Sequence, residues 1–138
     1  MAITATPVFV QAPGVAVSAY TTASSTSTIV SGSTDGSKVL SLTAVSDSTS
    51  AHVFTVGIST GGVSRPLVAV SITASAGTNG TGAAIDMLST ALLPGLPVDN
   101  DGQRYLFLPS TSYSVVVTAA SAINTGKQVT FTSMYGNY

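Results

Sequence analysis

Residues 38–45 read Lys38-Val-Leu-Ser-Leu-Thr-Ala-Val45, and residues 52–58 read His52-Val-Phe-Thr-Val-Gly-Ile58. Both stretches alternate. Leu40, Leu42 and Ala44 fall on one side of an extended chain, and so do Phe54, Val56 and Ile58, because successive side chains of a strand point to opposite faces. The same period of two continues outward from this pair. Val68, Val70 and Ile72 alternate with Ala69, Ser71 and Thr73. Tyr113, Val115 and Val117 do so with Ser114, Val116 and Thr118, and Val129 and Phe131 with Thr130 and Thr132. Val15–Tyr20, Ser27–Ser31 and Arg104–Leu108 are shorter candidates. Such runs, rich in β-branched residues, predict half-buried strands, about eight in all. Turn formers separate them: Gly32-Ser-Thr-Asp-Gly36, Thr60-Gly-Gly62, Gly77–Gly82, Asp99-Asn-Asp-Gly102 and Asn124-Thr-Gly126. The expected fold is therefore all-β, an antiparallel β-sandwich of jelly-roll-like form.

Charge is scarce. Asp, Glu, Lys and Arg make up 7% of the 138 residues, against roughly 25% in an ordinary soluble domain. There is no Glu, and the formal net charge is −1. Ser, Thr, Gly and Ala stand where charges usually sit. A surface of hydroxyls with so little net charge has weak colloidal repulsion, and such surfaces associate. The four basic residues are scattered, which argues against a nucleic-acid partner. No unbroken apolar segment reaches the ~20 residues of a membrane-spanning helix. Absence of Cys excludes disulfides and thiolate metal sites. The start, Met1-Ala-Ile-Thr-Ala-Thr-Pro7, carries no positive charge before its apolar part, so no secretory signal is expected.

Two segments break the alternation. Residues 1–14 contain Pro7 and Pro13 around Val8-Phe9-Val10, which predicts an extended N-terminal arm ahead of one domain over 15–138. Residues 83–98 are unusually apolar for a connection. Ile85, Leu88 and Leu92 have helical spacing, so a helical turn or two is expected, ended by Pro94. The stretch reads either as a lid over an open end of the sandwich or as a contact surface.

Chemistry is thin. His52 is the sole histidine and no Gly-x-Ser-x-Gly elbow accompanies it, so it reads as a strand-end residue rather than a catalyst or metal ligand; Asp47 would be its partner in a hydrolase. Asp99-Asn-Asp-Gly102 resembles the start of a calcium loop, but the distal bidentate Glu cannot exist in a chain without Glu; a hairpin turn is expected. The Gly-rich stretch 77–82 lacks the following Lys of a phosphate loop. No enzyme activity, cofactor or metal is expected. Six of the aromatic residues lie in the last third; Phe107 and Phe131 are assigned to the core. Tyr135 and Tyr138, beyond the expected last strand, are natural anchors against a neighbour, or fold back on their own domain.

The chain resembles the small all-β decoration, or cement, proteins of tailed-bacteriophage heads. The resemblance rests on the opening Met1-Ala-Ile-Thr-Ala-Thr-Pro-Val-Phe-Val-Gln11, on Gly32–Ser46 followed by Phe54-x-Val-x-Ile58, and on Leu106-Phe-Leu-Pro-Ser-Thr-Ser-Tyr-Ser-Val-Val-Val117 with Val129-Thr-Phe-Thr132 and an aromatic terminus. The 83–98 insert and the lack of charge depart from the family's pattern. The resemblance implies a structural virion protein on the outer capsid surface, made in the host cytoplasm. Its implied partners are the major capsid protein and further copies of itself, as a homodimer or homotrimer, with neither nucleic acid nor membrane. Val8, Phe9 and Val10 of the arm and Met87, Leu88, Leu92 and Leu93 of the insert are the candidate buried contacts, joined by Tyr135 and Tyr138. The alternative is a head-fibre, tail or adhesin-like module binding a cell-surface glycan through Asp101, Arg104 and Tyr105.

Overall fold

The computed structural model describes residues 12–21 and 26–138. Within them nine strands form two antiparallel sheets, with no helix. The first sheet holds β1 (Ala12–Tyr20), β9 (Val129–Asn137), β3 (Ser37–Ser46) and, along the far edge of β3, the short β6 (Ile85–Asp86) and β7 (Leu106–Leu108). The second sheet runs β2 (Thr26–Ser31), β8 (Tyr113–Ala119), β4 (His52–Thr60), β5 (Val63–Ile72). Taken as two halves of one strand, β6 and β7 leave eight strands. The pairs are then first with last, second with seventh, third with sixth and fourth with fifth, all antiparallel. That nesting is a single long hairpin rolled into a sandwich, the jelly roll expected from the sequence.

Alternation places the core. Leu42 and Ala44 of β3, Phe54 and Val56 of β4, Val70 and Ile72 of β5, Val115 and Val117 of β8, and Val129 and Phe131 of β9 are all buried. Tyr20, Phe54 and Phe131 meet edge to face in a triangle, with ring centroids 5.0–5.5 Å apart, the arrangement the aromatic quadrupole favours. Tyr20 also joins the sheets. From β1 its hydroxyl donates to the Val117 carbonyl on β8 and accepts the Ser27 amide of β2. Burial pushes this phenol's pKa up from its ordinary value.

Three bulges reset the period where the sequence shows none. On β3 the register with β9 slips between Val39 and Ser41. Val39 is therefore buried and Leu40 is not, although the strict alternation puts Leu40 with Leu42. On β2 the slip lies between Thr28 and Val30, so that Ile29 and Val30 are both buried. Between β4 and β5 the pairing passes from Val56–Val68 to Gly57–Pro66. There a Cβ on Gly57 would stand 2.5 Å from the Arg65 carbonyl oxygen, so only glycine lets the strands approach.

The predicted helical turn within 83–98 is absent, and the strand pairing explains why. Ile85 and Asp86 pair with Ala44 and Thr43, and the Met87 amide donates to the Leu42 carbonyl at 2.8 Å, so extended backbone occupies the start of the stretch. Residues 88–105 then leave the edge of β3 and return at Leu106, opposite Val39. Pro94 lies in a turn of the excursion, and Pro97 precedes the bridge of Val98 with Arg104. The strand β1 begins at Ala12, so Pro13 and Gly14, expected in the arm, pair with Gly136 and Tyr135 of β9.

Candidate interaction surface

Strand β1 lies at an edge, and its parity is unusual. Gly14, Ala16, Ser18 and Tyr20 turn toward the core, while Pro13, Val15, Val17 and Ala19 face outward. Near the margin of a sandwich the two sheets converge, and small residues suffice on the inner side; the apolar residues are left outside. Val15 pairs with Met134 of β9 and Val17 with Thr132. The exposed fractions are 63% for Val15, 65% for Val17 and 55% for Met134. No charged residue occurs in β1, β2, β8 or β9. A shallow apolar hollow of about 360 Å³ opens beside the patch, with Pro13, Val15, Leu40 and Met134 in its wall. An exposed apolar face without charge, on a rigid sheet, is the composition of an interface centre.

Four charged residues, Lys38, Asp99, Asp101 and Arg104, gather elsewhere, at the corner where the excursion returns. Asp99 opens a tight turn: its carbonyl accepts the Gly102 amide at 3.0 Å, and its Oδ1 accepts the amides of Gln103 at 2.9 Å and Asp101 at 3.1 Å. Its Oδ2 takes the Lys38 ammonium at 2.9 Å. The Lys38 ammonium holds the Asp99 carboxyl below the usual carboxylate range, helped by those amides, and Asp99 holds Lys38 above its ordinary value. The same ammonium lies 4.5 Å from the centre of the Tyr105 ring. Asp99 thus forms a hairpin turn. Among the described residues no three His, Asp or Glu side chains gather as a metal site.

Arg104 is spent on the excursion. Its guanidinium donates to Thr90 Oγ1 at 2.6 Å and to the Leu93 carbonyl at 2.7 Å. Gln103 donates through Nε2 to the Leu40 carbonyl at 3.1 Å, satisfying the bulge where the β3 ladder is interrupted. A polar groove of about 410 Å³ runs between this turn and β3, walled by Ser41, Thr43, Asp86, Gln103 and Arg104 among others. Of the three residues of the glycan reading, Arg104 lines it, and Asp101 and Tyr105 do not.

The other candidates separate sharply. Val8, Phe9 and Val10 lie outside the described residues. Met87 is wholly buried and Leu88 nearly so; both belong to their own core and present nothing to a neighbour. Leu92 and Leu93 pack partly against that core. Tyr135 lies inside β9 rather than beyond it, above Gly14, where a Cβ would meet the ring at 2.5 Å. Tyr138 donates its amide to the Gly36 carbonyl, and its ring stands 6.1 Å from that of Phe107. Phe107 is a correction: it is 47% exposed, because β7 turns Leu108, not Phe107, to the core. His52 opens β4, buried, with its Nε2 2.8 Å from Ser48 Oγ, while Asp47 accepts the Gln128 amide instead. The Ser48–His52 contact closes the turn between β3 and β4.

No protein-family model matches the chain, and no curated protein does. A solved structure described as the cyanophage Pam1 capsid asymmetric unit is similar to it, at 17% identity over 99% of this chain and 94% of that one, with a TM-score of 0.47. Among the described residues no helix is long and apolar enough to cross a membrane.

Proposed function

We propose that this chain is a decoration protein of a bacteriophage head, bound to the outside of an icosahedral shell and bridging neighbouring major capsid protein subunits, and that it is not an enzyme. The observation that carries this reading is the uncharged outward face of β1 and β9, with Val15, Val17 and Met134 exposed on a rigid jelly roll. A bridge requires a stiff core and an adaptable hydroxyl-rich contact surface. It requires no reactive centre, and many weakly held copies reinforce a shell together. The opening stretch, the Gly32–Ser46 strand and the closing hairpin resemble the cement proteins of phage heads, in keeping with the same role.

The test is to add the purified chain to particles that lack it and to quantify both proteins by mass spectrometry. A fixed simple ratio to the major shell protein, with shells more resistant to heat, is the expected result. A few copies per particle, or none, overturns the reading. A Val17→Asp/Met134→Asp variant is expected to keep its unfolding midpoint and lose the particle.

A further inference from the structure

We propose that two copies of this chain join through β1, edge to edge and antiparallel, about a two-fold axis at Ala16. Among the described residues β9 is the only sheet neighbour of β1, and none of them pairs with the backbone groups of its other edge. The remaining edges are defended or short. β5 carries Arg65 and Pro66 at a bulge, β2 is six residues long and bulged, and β6 and β7 have two and three residues. β1 has nine residues and no charge, and its one proline, Pro13, lies near the start. Natural edges are guarded by charge, proline, bulges or brevity; Gly14–Ser18 has none of these.

The occupant is a second copy because β1 is complementary to itself. With Ala16 opposite its own image, Val15 faces Val17 of the second copy on the outer side, and Gly14 faces Ser18 on the inner side. Every pair joins two residues that face the same side, outward with outward and inward with inward. No pair clashes in size, and none sets charge against charge. Matching parity puts both sandwich cores on the same face of the joined sheet and leaves the other face to solvent. The product is one continuous sheet whose outer face gathers Val15, Val17 and Met134 from both copies.

The inference stands apart from the shell reading, and its test uses the isolated full chain without particles. Sedimentation equilibrium over a concentration series is expected to give a dimer; a monomer or a trimer throughout overturns the proposal. The chain has no cysteine, so a single introduced thiol reports the register. Ala16→Cys is expected to convert most chains to a disulfide dimer under mild oxidation, since directly opposed residues lie within bonding distance. Val17→Cys is expected to stay largely uncrosslinked, because its image lies roughly 8 Å away, beyond the about 7 Å limit. Equal cross-linking of the two variants, or none in either, refutes the pairing.

Discussion

Two apolar stretches of this molecule met opposite fates. Residues 87–98 form the most apolar connection in the chain, and most of its large side chains turn inward: Met87 and Leu88 are buried, Leu92, Leu93 and Leu96 pack on the core, and Val98 stays exposed. Residues 13–19 are milder, yet Val15 and Val17 are left in solvent. The difference lies in how each stretch is held. The excursion is tied at both ends to β3, through Met87 at Leu42 and Leu106 at Val39, so it can only fold back across the neighbouring core. β1 is held along its length by β9, which fixes the parity of every side chain and forbids the valines from turning inward. Hydropathy alone does not say which side of a protein a residue will face; attachment does.

The comparison is broken most severely from the buried side. Met87→Ala is expected to cost about 2–5 kcal/mol of unfolding free energy, through lost burial and a cavity, as read by denaturant titration. A loss within experimental error would mean that the excursion is not part of the core. Arg104→Met removes the two bonds to Thr90 and Leu93, and about 1–2 kcal/mol is expected for such partly exposed bonds to a charged donor. Hydrogen exchange should then quicken in residues 88–105 and stay slow in β3 and β9. Uniform quickening would show that the excursion and the sandwich open together. Tyr20→Phe keeps the aromatic triangle and deletes the bridge between sheets, at about 1 kcal/mol.

The Lys38–Asp99 pair sharpens the contrast through pH. Asp99 titrates below its ordinary value in the folded chain, so its share of stability is present above that ordinary value and fades as pH falls through the lowered one. Lys38 titrates above its ordinary value, so its share is present below that value and fades as pH rises through the raised one. The pair therefore helps between about pH 4 and pH 10. Lys38→Met should lower the unfolding midpoint modestly at neutral pH and not at all in strong acid. A deficit that persists in strong acid would assign the effect to lost packing over Tyr105. The smallest change is expected at the exposed patch: Val15→Ser should alter stability by no more than about 0.5 kcal/mol. A larger loss that does not change with protein concentration would place Val15 in the structural core of its own subunit.

Much of the fold was legible because alternation is a local signal. Five strands, β3, β4, β5, β8 and β9, announce themselves in their side chains, and turn formers mark the gaps. The bulges do not. Nothing in Val39-Leu-Ser41 tells that Leu40 is skipped by β9, since the slip is set by a strand far away in sequence. Phe107 was assigned to the core on size alone, and a three-residue strand has too few positions for parity to be read. The exposed apolar face of β1 and β9, the candidate interaction surface, was mostly missed. Its signal was present: in Pro13–Ala19 the apolar residues take one parity and Gly14, Ala16 and Ser18 take the other, the pattern of an edge strand whose larger residues look outward. Tyr20, at the end of that run, was legible as a strand residue but not as the link between sheets, because its partners Ser27 and Val117 lie on the other one.

β9 is the middle strand between β1 and β3, and it pairs Ala12 with Asn137 and Ser46 with Val129. Of the nine described strands, the ribosome makes that middle one last. While residues 129–137 are still unmade, β1 and β3 have no ladder between them, and the aromatic triangle lacks Phe131. The nascent chain thus waits with open strand edges and almost no charge to keep it from its neighbours on the same message. The making of residues 129–137 is the event that lets this sheet close, and until then its strand edges stay open to neighbouring chains.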